Sequence, residues 1–152
     1  MIMLNHSKEL SMLKIIIIED NIKLREIIKK ALSSTLPFVN ISETADGKTI
    51  FDEIDDNGPD LIIMDIRLPG ENGLKLTKKI KKQYPRVFIA MNTNYDSQEY
   101  REAAHLAGAD CFFSKRTDSI NDIISFIESI YYGEAVKSRL RLESVCIKQS
   151  RK

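Results

Sequence analysis

Short runs of continuous apolar residues alternate along this chain with longer segments in which apolar positions recur every three or four residues. The first run, Leu13–Ile18, is dominated by isoleucine, the composition of a strand buried on both faces. Residues 22–32 follow with Leu24, Ile27, Ile28 and Ala31 at helical spacing. Lys23, Arg25, Glu26, Lys29 and Lys30 fill the opposite face, so the segment predicts an amphipathic helix. Pro37 breaks the chain before a short strand at 39–43, and Asp46-Gly47 marks a turn. A brief helix carries Ile50, Phe51 and Ile54 and stops at Asn57-Gly58-Pro59. Leu61–Met64 is the third strand. A loop with Pro69, Gly70 and Gly73 leads to a helix over 74–83, which Pro85 closes.

The fourth strand spans 87–91. Asp96 and Glu99 have the spacing of a capping box, which opens a helix expected to bury Tyr100, Ala103, Ala104 and Ala107 before Gly108 ends it. Cys111–Ser114 is the fifth strand. The last helix, 119–132, places Ile120, Ile123, Ile124, Ile127 and Tyr131 on one face, with Gly133 just beyond. Strand and helix alternate five times, which predicts an α/β fold: a doubly wound, five-stranded parallel sheet between two helical layers. Residues 1–12 read as an N-terminal extension, 13–133 as the domain, and 134–152 as a basic tail or an extension of the last helix. Phe126 and Ile130 widen the apolar stripe of that helix. Deeper burial in the core is the preferred reading, and a homodimer surface made by the last two helices and fifth strand is the other.

At 152 residues the chain can bury one full core, and its net charge of +1 exerts no general attraction towards nucleic acid or acidic membranes. Cys111 and Cys146 lack metal-ligand spacing and are too few for a disulfide framework, so a cytoplasmic setting is expected. Asn5, His6, Lys8 and Glu9 interrupt any signal-peptide core, and the longest apolar run is too short for a membrane span.

The chemistry collects where strands end. Asp65 directly follows the third strand, and Glu19-Asp20 directly follow the first. In doubly wound sheets ligands bind outside the carboxyl ends of the strands, so these acids are expected to share a pocket with Thr93 and Lys115. Three clustered carboxylates repel one another, and a hard divalent cation such as Mg²⁺ removes that conflict. Beside the cation Asp65 can act as a nucleophile towards phosphorus, while Thr93 and Lys115 stabilise phosphoryl oxygens. Each residue alone also fits a plainer role. An acid after a strand often caps the next helix, a threonine there often serves a turn, and a lysine is often only solvated. The joint pattern, with suitable groups ending four strands, favours the chemical reading.

The stretches IIIIEDN, PDLIIMDIRLPGENGLKL and NTNYDSQEYREAAHLAGADCFFSK resemble the receiver domain of two-component response regulators. The likeness covers about 13–133. Pro69 and Gly73 lie four and eight residues after Asp65, Thr93 fifteen before Gly108 and Lys115 seven after it, as in that family. The resemblance implies a flavodoxin-like fold of five parallel strands and five helices. It implies Asp65 as phospho-acceptor, Glu19, Asp20, Asp65 and the Arg67 carbonyl as Mg²⁺ ligands, Lys115 as the phosphate-binding lysine, and Thr93 and Phe112 as the switch pair. The implied donor is a histidine kinase, a phosphotransfer protein or a small phosphodonor. The implied activity is self-catalysed gain and loss of phosphate, not that of an enzyme with turnover. No direct nucleic-acid or membrane contact is expected. Thr93 and Phe112 moving together would reshape the last two helices and fifth strand, shifting a population between two packed states.

Several positions depart from the family pattern. Arg116 stands where many receivers have a proline in a cis bond, so a trans peptide is expected. Asn94 replaces a small residue, and with Tyr95 it flanks the site. Glu19 replaces the usual first aspartate, and Phe112 lacks a tyrosine hydroxyl. Among rivals, an aspartate-nucleophile phosphatase needs a second aspartate where Arg67 stands, and guanidinium is no general acid. A flavin-binding fold needs a phosphate loop after the first strand, where Glu19-Asp20 would repel phosphate. A non-phosphorylated interaction scaffold remains open, as does a receiver piece of a helix-turn-helix transcription regulator, suggested by the ending YYGEAV.

Overall fold

A computed structural model describes residues 12–133. Its elements are β1 (Leu13–Ile18), α1 (Ile22–Thr35), β2 (Val39–Thr44), α2 (Ile50–Asn57), β3 (Leu61–Met64), α3 (Gly73–Gln83), β4 (Phe88–Thr93), α4 (Gln98–Ala107), β5 (Cys111–Ser114) and α5 (Ile120–Tyr131). All strands are parallel, in the order β2-β1-β3-β4-β5. The chain therefore steps outward from β1 to β2 and then returns to β3 on the other side of β1. That reversal opens a crevice at the carboxyl ends of β1 and β3, the topological switch point of such sheets.

Alternation along the strands divides the core in two. Ile15, Ile17, Leu61, Ile63 and Phe113 point to the layer of α1 and α5, where Ile28, Leu32, Ile123 and Ile127 meet them. Ile16, Ile18, Ile62, Met64 and Phe112 point to α2, α3 and α4, against Ile54, Leu76, Ile80 and Ala104. Both faces of β3, and of β1 from Ile15 onward, are thus dry, which accounts for their apolar sequences; Lys14, at the start of β1, is exposed.

The predicted elements are present, with local differences. The first helix runs three residues further, to Thr35, and Leu36 caps it by donating its N–H to the Leu32 carbonyl. Ile27, assigned to the buried face, is 55% exposed. Ile28 and Leu32 carry that face instead. Strand β4 extends to Thr93 because residues 90–93 pair with β5. Asp96 does not cap α4: Ser97 does, accepting from the Tyr100 N–H at 3.4 Å. Of the four residues expected in the core from α4, only Ala104 is fully buried, whereas Arg101 is buried beside it. Phe126 is 6% exposed and meets Phe88 and Phe113 edge-on at 6.4 and 6.0 Å, so the core reading of the wide α5 stripe holds for this ring. No helix among the described residues is long and apolar enough to cross a membrane. The extension before residue 12 and the basic tail at 134–152 lie outside the described residues.

Candidate functional site

Register brings the acids together. Ile18 pairs with Met64 across β1 and β3, so the next residues, Glu19 and Asp65, leave the sheet side by side at the switch point. The Asp65 N–H still donates to the Ile18 carbonyl at 3.2 Å, and the Glu19 N–H to the Thr44 carbonyl at 3.1 Å. The two carboxylates are thereby held by sheet backbone and not by loops. Glu19 and Asp65 are buried and Asp20 is exposed, yet oxygens of all three lie within 4.8 Å of one another.

Lys115 reaches this cluster from the far side of the sheet. Its N–H donates to the Thr93 carbonyl at 2.9 Å, which prolongs the β4–β5 ladder by one residue. Its Nζ donates to Asp65 Oδ2 at 2.7 Å and to Glu19 Oε1. Glu19 Oε2 accepts from the Asn21 N–H at 3.1 Å, and Asp65 Oδ1 receives a long contact, 3.4 Å, from the Arg67 N–H.

One contact has opposite consequences for its partners. Burial pushes the Glu19 carboxyl above its usual range, and Asp65 adds repulsion; Lys115 and the Asn21 N–H oppose this without cancelling it. Burial pulls Lys115 down, but hydrogen bonds to Asp65 and Glu19 and their charges outweigh it, so the ammonium is held more firmly than usual. Lys115 gains from two anions, whereas Glu19 is more deeply buried and shares its one cation with Asp65. A raised carboxyl pKa means that the folded state binds the proton more tightly than the unfolded one. Stability is then lost as pH rises from the ordinary value of 4.5 through the folded value. Without divalent metal, Glu19→Gln is expected to gain stability over the wild type progressively above that pH and to lose the advantage below it. Denaturant titrations across the acid and neutral range read this directly.

Three acids facing one lysine leave a net negative, oxygen-only donor set, which suits a hard divalent cation such as Mg²⁺. Glu19, Asp20 and Asp65 could hold it.

The other predicted residues make contacts of their own. Thr93 is fully buried, and its Oγ accepts from the Tyr95 N–H at 3.2 Å. Asn94 is exposed. Tyr95 is partly buried against the core on the α4 side, with the Arg67 guanidinium 4.7 Å from its ring centroid and the Tyr100 ring at 5.4 Å. Arg67, Tyr95 and Tyr100 help to line a 210 Å³ depression along the loop that follows β3. Phe112 is buried on the α4 side, under the Arg101 guanidinium at 4.8 Å. None of the described peptide bonds is cis, in accord with Arg116 replacing proline.

Some participants were not legible in the sequence. Arg25, read as an outward residue of α1, donates to the Glu19 carbonyl at 2.5 Å. Ser114 and Asp96 bond side chain to side chain at 2.6 Å across eighteen residues, and Arg101 packs over Phe112. Only the serine's place directly before Lys115 hinted at a role.

Comparison with known proteins agrees with this geometry. A family profile described as "Response regulator receiver domain" matches residues 15–128. The response regulator protein VraR of Staphylococcus epidermidis is 31% identical over 126 residues, covering 82% of this chain and 59% of its own length. The transcriptional regulatory protein DegU of Brevibacillus brevis is 27% identical, covering 81% and 52%. The chain thus spans little more than half the length of these relatives. A solved DNA-binding response regulator of the LuxR family from Staphylococcus aureus shares the fold, with a TM-score of 0.72 at 24% identity over 79% of this chain and 99% of that one.

Proposed function

The chain belongs to the response regulator receiver domain family, and from that premise we propose that Asp65 accepts a phosphoryl group from a histidine kinase, a phosphotransfer protein or a small phosphodonor. The observation that carries this reading is the set of Glu19, Asp20 and Asp65 gathered at the switch point with Lys115 bonded to two of them. Residues 13–133 are the receiver unit, and its setting is the cytoplasm.

An Asp65 carboxylate oxygen attacks phosphorus. The new O–P bond forms as the donor's P–N bond in phosphohistidine, or P–O bond in acetyl phosphate, breaks, and the leaving group departs with the electron pair. Glu19, Asp20, Asp65 and the Arg67 carbonyl would hold a divalent cation, which would supply neutralising charge for the acids and the incoming oxygens. Lys115 already donates to Asp65 Oδ2 and is placed to transfer that hydrogen bond to a phosphoryl oxygen. Attack by water later returns the Asp65 carboxylate and inorganic phosphate. The protein is a switch that marks itself, not an enzyme acting on a separate substrate.

Readout runs through Thr93 and Phe112. They lie on neighbouring strands, with Met91 beside Phe112 and Thr93 beside Ser114, and both are buried. Drawing the Thr93 hydroxyl towards a phosphoryl oxygen takes it from the Tyr95 N–H, and the vacated space admits Phe112. The surface of α4, β5 and α5 then changes, and it is offered to a partner or a second copy. The transcription-regulator names of the relatives favour a further reading in which this receiver governs a DNA-binding module, with DNA contact made by that module.

Incubation with acetyl phosphate and Mg²⁺, followed by intact-protein mass measurement, tests the proposal. The expected result is one phosphoryl adduct per chain, stable in acid, labile in base and absent when chelator removes the metal. No adduct with any donor would return the scaffold reading.

A further inference from the structure

Asp96 joins the two loops that carry the expected functional groups. It stands three residues after Thr93, and its Oδ2 accepts from the buried Ser114 Oγ at 2.6 Å. Ser114 is the residue before Lys115. Its Oγ also accepts from the Arg116 N–H at 3.1 Å, and its N–H donates to Asp118 Oδ2 at 2.7 Å. Arg116 Nη1 lies 3.7 Å from Asp96 Oδ1, a minor contribution because that arginine is largely exposed. On its other side, the Asp96 carbonyl accepts from Arg101 Nε at 3.0 Å, and the same guanidinium covers Phe112. The backbone on both sides of Lys115 is thus bound into one network, with Asp96 at its centre. A proline at 116 could not make the N–H contact to Ser114, so this chain has a hydrogen bond that a prolyl residue would remove.

We propose that Asp96 is a positioning residue that, through Ser114 and Arg116, holds Lys115 on the Asp65–Glu19 pair and ties that hold to the loop bearing Thr93. The hydrogen bond from Ser114 also keeps the Asp96 carboxyl ionised below its usual range, so the short contact is a charge-assisted one, stronger than a neutral pair. In this arrangement Lys115 competes with a divalent cation for two of the three acids. Releasing the network loosens the lysine, which weakens its competition and misplaces it for phosphoryl transfer.

The inference rests on the roles assigned above to Asp65 and Lys115, and two readouts separate its failure from theirs. Mg²⁺ affinity, measured by calorimetry on the unphosphorylated chain, is expected to rise severalfold in Asp96→Ala and Ser114→Ala. Adduct formation from acetyl phosphate at saturating Mg²⁺ is expected to slow about tenfold in the same variants, since small misplacements of a catalytic group are costly. Asp96→Asn keeps an acceptor for the Ser114 hydroxyl and should recover most of both effects. A wild type that forms no adduct overturns the phospho-acceptor reading, and the Mg²⁺ arm still decides the positioning role. Variants that lose melting temperature but, while folded, keep wild-type Mg²⁺ affinity and adduct rate would show Asp96 to be structural only.

Discussion

Asp65→Asn, incubated with acetyl phosphate and Mg²⁺, is expected to keep its unmodified mass while melting at a higher temperature than the wild type. The amide retains the shape of the carboxyl group and an oxygen for Lys115, but it is no nucleophile towards phosphorus, so the adduct disappears outright. Stability moves the other way. In the wild type two buried carboxylates and an exposed third crowd within 4.8 Å, and among the described residues Lys115 bonds two of them. Removing one charge relieves repulsion on Glu19, which burial and Asp65 already hold at a raised pKa. A gain of about 1 kcal/mol is reasonable for neutralising a site kept for function at the expense of stability. In a domain of this size that is about 3–6 °C in melting temperature. Added Mg²⁺ should stabilise the wild type and have much less effect on the variant, because one of its ligands has become a neutral amide. A persistent adduct in Asp65→Asn would place the acceptor elsewhere. Lost adduct with lowered stability would mean that the Lys115 pair outweighs the repulsion.

Gly73→Ala should be the most disruptive single methyl addition near the site. A Cβ at this position would lie 2.1 Å from the Asp65 carbonyl oxygen and 2.9 Å from the Ile66 Cα. Both are backbone atoms and cannot swing aside as a side chain could. Gly73 opens α3, and its N–H donates to the Ile66 carbonyl at 2.6 Å, so the start of the helix is pressed against the loop leaving β3. The requirement is one of close approach; Gly73 is not among the glycines with positive φ. Accommodating the methyl group must move α3 or the Asp65 backbone, at a cost of about 3 kcal/mol. Chemical denaturation of the variant measures that loss. The phosphorylation rate of the fraction that remains folded reports whether Asp65 itself was displaced. An unchanged stability would mean that the helix start can yield without cost.

Much of the molecule was legible before any coordinates. The runs Ile15–Ile18 and Leu61–Met64 identified β1 and β3 because strands covered on both faces need no polar alternation. Acids placed immediately after those runs could be assigned to one pocket because parallel strands end on the same edge of the sheet. The misreadings have specific causes. Helical spacing admits Ile27 and Ile28 equally, and only packing against the sheet decided that Ile28 is buried and Ile27 is not. Asp96 and Ser97 are both good caps, and the cap went to Ser97 because Asp96 is bonded to Ser114 on a distant strand. Arg101, which helical spacing does not single out, is buried over an aromatic ring, a contact with no local signature.

By itself the sequence determined the order and type of the elements, the edge of the sheet that carries the chemistry, and the acidic and basic groups that stand there. Those properties depend on neighbours a few residues apart, which the chain states directly. Which groups touch was decided only by the tertiary structure: Lys115 on Glu19 and Asp65, Arg25 on the Glu19 carbonyl, Asp96 on Ser114. Such contacts depend on strand order and register, which bring residues up to ninety-six positions apart within hydrogen-bonding distance, and no local pattern encodes that separation.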